Sequence, residues 1–103
     1  MNGKTHVTLD LERTSHFEAI KGHVWAWSQG KSYETPWHNL SEVQLAFNRV
    51  LFLLIQSRIL LRPEAVLDLR STFGGGAKAR VGESMELDVS RAATTRLKEL
   101  LGL

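Results

Sequence analysis

Three patterns predict a mainly α chain with one short N-terminal β-strand, an α+β fold class. Lys4 to Leu11 alternates apolar and polar residues with the period of a half-buried strand. Apolar residues then recur at helical spacing from Phe17 to Trp27 and, over a longer stretch, from Val43 to Ile59. A third helical stripe, Ala93 to Leu101, closes the chain before Gly102. The 103 residues allow a single domain, read as a core over 1–61 and a C-terminal extension over 62–103.

In the first strand Val7, Leu9 and Leu11 share one face and His6, Thr8 and Asp10 the other. Ser15 followed by Glu18 has the spacing of a capping box, so a helix from about His16 to Gln29 is expected, with Gly30 at its stop. A strand through His23 to Trp27 competes with it. Trp25 and Trp27 share a face only if the chain is extended, and Gly22 weakens a helix interior by about 1 kcal/mol relative to alanine. Gly30 to Asn39 is a loop with Pro36 fixing its geometry and Tyr33 and Trp37 tucking its ends against the core.

A long helix follows, from Ser41 to Leu61, capped by Asn39 or Ser41. Val43, Phe47, Val50, Leu51, Leu54, Ile55 and Ile59 form its stripe, while Leu45, Phe52 and Leu53 add apolar surface outside it. A helix apolar all round needs cover on every side, which predicts a homodimer or higher oligomer. Pro63 suits the first position of a short helix running from Glu64 to about Leu69, and Gly74, Gly75 and Gly76 end that region. Met85, Leu87 and Val89 alternate, and Ser90 caps the last helix, whose stripe is Ala93, Leu97, Leu100 and Leu101.

Composition narrows the function. Without cysteine there is no disulfide framework and no thiolate metal site, which suits a reducing cytoplasm. The start, Met1 to Asp10, lacks the apolar run of a signal peptide, and Val50 to Ile55 is far shorter than a membrane span, so a cytoplasmic protein with no membrane partner is expected. The net charge is only +2, but Arg70, Lys78, Arg80, Arg91, Arg96 and Lys98 surround the acids Glu83, Glu86 and Asp88 and leave two small basic patches.

No catalytic set is found. His16 and His23, seven apart on a helix, would stand about 10 Å apart along its axis, too far for one zinc ion. Glu34 and His38 have helical metal spacing, but Pro36 lies between them. There is no G-x-S-x-G elbow, and the glycines before Lys78 lack the spacing of a phosphate loop. The expectation is a protein with no enzyme activity, no metal and no cofactor.

The stretch K-T-H-V-T-L-D from Lys4 to Asp10, followed by a capped helix, a glycine and the helix start L-S-E-V from Leu40 to Val43, resembles the ribbon-helix-helix DNA-binding repressors. That resemblance implies a ribbon-helix-helix-like dimer with a C-terminal helical extension, acting on duplex DNA as a transcriptional regulator. Lys4, His6 and Thr8 would enter the major groove, and the backbone amides of Ser41 and Glu42 would hold a phosphate. A second likeness, L-D-V-S-R-A-A-T-T-R-L from Leu87 to Leu97, looks like the turn and recognition helix of a helix-turn-helix protein. Ser90, Arg91, Thr94 or Thr95, and Arg96 would then face DNA. A different function class stays open: a small inhibitor or accessory factor binding another protein through Trp25, Tyr33 and Trp37 as aromatic anchors.

Overall fold

The computed structural model describes residues 9–82 and 85–103. The expected N-terminal strand, with Lys4, His6 and Thr8, lies almost wholly outside the described residues. At its described end the chain instead makes a 3-10 turn, Leu11–Arg13, whose N-terminus is capped by the Asp10 side chain.

Where the helix from His16 to Gln29 was expected, the chain folds as a meander of β1 (Thr14–Ile20), β2 (His23–Ser28) and β3 (Lys31–Glu34). The competing strand reading is the one observed. Two two-residue turns make the meander possible. Lys21 and Gly22 have φ of 49° and 78°, and Gln29 and Gly30 have 53° and 81°. Left-handed φ at both central positions is the turn whose twist matches a hairpin, and a glycine at the second position removes half of its steric cost. Val24 and Ala26 then face inward, while Trp25 and Trp27 share the opposite face.

The long helix from Ser41 to Leu61 is the largest correction. It survives only as α1 (Leu40–Ala46), capped by the Asn39 side chain. The remainder forms the hairpin β4 (Leu53–Gln56) and β5 (Ile59–Leu61). Helical spacing misleads here because the run Val50 to Ile55 has no polar face in any conformation, and such a run fits equally a strand covered on both sides. Each side of β5 meets a core within the chain. Leu60 packs with Phe17, Val24, Ala26 and Val43 beneath α1, whereas Ile55, Ile59 and Leu61 face a second core. Leu45, Leu51 and Leu54 of the same stretch stay exposed, at 77%, 55% and 48%.

Beyond Pro63–Ala65, a single 3-10 turn where a longer helix was expected, come β6 (Asp68–Ser71), β7 (Ala77–Arg80) and β8 (Glu86–Val89). The last helix, α2 (Arg91–Leu101), matches its sequence signals. The Ser90 side chain accepts from the Ala93 amide, and Gly102 takes the left-handed C-cap at φ 75°.

Among the described residues the molecule is thus mainly β, with two antiparallel sheets, β3-β2-β1-β5-β4 and β6-β7-β8, and two helices. This overturns both the mainly α class and the ribbon-helix-helix arrangement, which has one strand and no sheet of its own within a chain. The C-terminal part is likewise a sheet with one helix. Ile55, Ile59 and Leu61 from the first sheet meet Ala77, Ala79, Leu87 and Val89 from the second, with Ala93 and Leu97 of α2 closing the core. Residues on both sides of position 61 build that core.

Candidate nucleic-acid interface

Strand pairing gathers three turns onto one edge. The β1–β2 turn carries Lys21 and the β4–β5 turn carries Arg58, and the Ala19 amide donates to the Arg58 carbonyl at 2.9 Å, so the two tips lie side by side. The next link joins the sheets. The Ser90 amide donates to the Ile55 carbonyl at 2.8 Å, and Gln56 Nε2 donates to the Asp88 carbonyl at 2.8 Å, which sets the start of α2 beside the second tip. The β6–β7 turn, Thr72 to Gly76, completes the row, because Ala77 pairs with Val89 and Gly75 packs on the Arg91 side chain.

Lys21, Arg58 and Arg91 are exposed along this row, and among the described residues none of them has a carboxylate within ion-pair distance. Most other cations are already paired. On the outer face of the second sheet Arg70 meets Glu86 at 3.4 Å, Lys78 meets Asp88 at 2.8 Å and Arg80 meets Asp68 at 2.7 Å. Exposed pairs of this kind add little stability, but they cancel each other's field at a distance. Arg62 donates to the Thr14 carbonyl at 2.8 Å and the Glu12 carbonyl at 2.7 Å, fixing the floor of a cleft of about 600 Å³ on the opposite edge. Lys31, Arg49 and Lys98 are unpaired among the described residues as well, on β3, in the loop after α1 and on α2. The turn-bearing edge therefore brings three unpaired cations into one row.

The structure distributes the sequence candidates unevenly. Lys4, His6 and Thr8 lie outside the described residues. Ser41 and Glu42 form the first turn of α1, where the Glu42 amide donates to Asn39 Oδ1 at 3.0 Å. The Glu42 carboxylate accepts from the His38 amide at 2.6 Å, and that backbone bond holds its carboxyl below the ordinary range. The Glu42 amide is thus already taken by the Asn39 side chain. Ser90 is engaged as the cap of α2. Arg91 joins the row of turns. Thr95 and Arg96 lie exposed further along α2, Arg96 3.8 Å from Glu99, and Thr94 is buried with its hydroxyl on the Ser90 carbonyl.

Of the aromatic anchors, Trp37 belongs to the core beneath α1, its ring edge-on to Phe17 and Phe47 at centroid distances of 6.1 and 5.5 Å. Trp25 is half-buried and Tyr33 is exposed on the edge strand β3. Sequence reasoning passed over Lys21, Arg58 and the wholly exposed Phe73. The pairs Lys21-Gly22 and Gln29-Gly30, each between apolar runs, were the hairpin signal that would have placed the first. Among the described residues no three histidine or acidic side chains converge on a point that could hold a metal, and no helix is long and apolar enough to cross a membrane.

Two sheets and two helices in this order define a LytTr-like β fold. The chain is similar over 94% of its length to the LytTr DNA-binding domain of a protein described as a putative methyl-accepting/DNA response regulator from Bacillus cereus. The likeness covers 88% of that chain with a TM-score of 0.78 at 10% sequence identity, so it is a likeness of fold, and it replaces the ribbon-helix-helix assignment. No protein-family model matches the chain, and no curated protein matches it.

Proposed function

We propose that this chain is a DNA-binding domain of a transcriptional regulator, with no enzymatic role, and that it meets duplex DNA along the edge formed by its three turns. The observation that carries the reading is the likeness over nearly the whole chain to a domain described as DNA-binding. The placement of unpaired cations supports this choice of surface. Lys21 and Arg58 come from two turns and Arg91 from the start of α2, brought into one row that can follow phosphates along a DNA backbone, while the paired cations of the second sheet offer a polyanion less open charge.

The experiment compares two triple variants. Replacing Lys21, Arg58 and Arg91 by alanine should weaken binding to random-sequence duplex. It should also lower the slope of log affinity against log salt by about three, near one for each phosphate no longer neutralised. Replacing Arg70, Lys78 and Arg80 should leave that slope unchanged. Equal effects of the two variants, or no duplex binding at low salt, would refute the proposal.

A further inference from the structure

Phe73, on the β6–β7 turn, has 107% of the exposure of an isolated residue, so its ring is not packed against the described residues. A lone exposed ring is common on protein surfaces, so what Phe73 can do depends on what stands beside it. The turn around it is stripped and tight. Gly74, Gly75 and Gly76 follow, with Gly74 and Gly75 at φ of 97° and 94°, so the ring is the only bulky group at the tip. The tip is also well anchored. The Thr72 amide donates to the Gly76 carbonyl at 3.0 Å, and a Cβ added to Gly75 would come within 2.9 Å of Arg91 Cδ. The ring is therefore carried on the same edge as the free cations, beside one of them.

We propose that Phe73 is a wedge. With Lys21, Arg58 and Arg91 seated on phosphates, the turn enters a groove and the ring inserts between adjacent base pairs, unstacking them and kinking the duplex. The proposal rests on the DNA-binding reading above. It follows from the chemistry of both partners: a flat apolar ring leaves water when it lies between bases, and the glycines let the backbone approach the groove without side-chain bulk. Steps of a pyrimidine followed by a purine, which unstack most easily, are the expected sites.

The test uses the full chain and a short duplex with a 2-aminopurine placed at a TA step, whose emission rises when the base loses its stacking neighbour. Phe73→Ala should lower affinity roughly ten- to a hundredfold and abolish the rise in emission while leaving the salt slope unchanged, because the ring touches no phosphate. Phe73→Trp should keep both the affinity and the rise. Since the ring is wholly exposed, thermal unfolding of both variants should match the parent. If the parent binds duplex and Phe73→Ala binds equally well, or still unstacks the probe, the wedge is refuted and the DNA-binding reading stands. If the parent binds no duplex, that reading fails and the wedge fails with it.

Discussion

His16 is buried on β1 with its ring stacked on Trp27 at 5.7 Å and its Nδ1 2.7 Å from the Ser15 hydroxyl. Burial lowers its pKa from 6.5 to about 4, so the folded protein holds it neutral. Between those values the unfolded chain binds more protons than the folded one. Its contribution is therefore full above pH 6.5, declines as the pH falls toward 4 and is flat below that. At about 1.4 kcal/mol per pH unit the loss across the window is on the order of 3 kcal/mol. Urea unfolding at pH 7 and pH 5 should show this slope in the parent and its disappearance in His16→Phe, whatever that variant's stability at neutral pH. An unchanged slope would mean that His16 is not the group responsible. Ser90 offers a second check. Its hydroxyl accepts from the Ala93 amide at 3.2 Å, so Ser90→Ala should destabilise the protein by about 1 kcal/mol in the same assay.

The β1–β2 hairpin links stability and binding through one position. Lys21 holds φ 49°, a conformation costly for most L-residues and tolerated by asparagine. Lys21→Asn should therefore raise stability by up to about 1 kcal/mol while removing one cation from the DNA backbone, lowering the salt slope of DNA binding by about one. A gain in both properties would disconnect Lys21 from DNA. The β4–β5 hairpin shows where local patterns lose their force. Leu60 enters one core and Ile59 and Leu61 the other, so no residue of β5 is polar and no period can be read from it.

That shared hairpin makes the two sheets one cooperative unit. All three tryptophans lie in the five-stranded sheet or its flanking loop, whereas far-UV dichroism reports both sheets and both helices. Leu61 is fully buried in the core between the sheets, so Leu61→Ala should cost about 2–5 kcal/mol and shift both signals together. Separate transitions would show that each sheet folds alone. The charge distribution belongs to the same assembled unit. Cross-strand pairing neutralises the outer face of the second sheet, and the turn-bearing edge keeps its cations open.

The C-terminal strand and helix were legible from the sequence alone because their signals are local. The alternation of Leu87 and Val89, the Ser90 cap and the Gly102 stop act within a few residues of the backbone they shape. Leu11 to Leu61 was not legible in this way. Its apolar residues satisfy helical and extended periods alike, and the choice depends on whether distant segments cover both faces. The candidate interface has the same origin. Lys21, Arg58 and Arg91 are unremarkable cations in three separate stretches, and Phe73 is one aromatic beside three glycines. They share an edge because β1 pairs with β5 and because the start of α2 is bonded to β4, contacts between distant residues that no local pattern encodes.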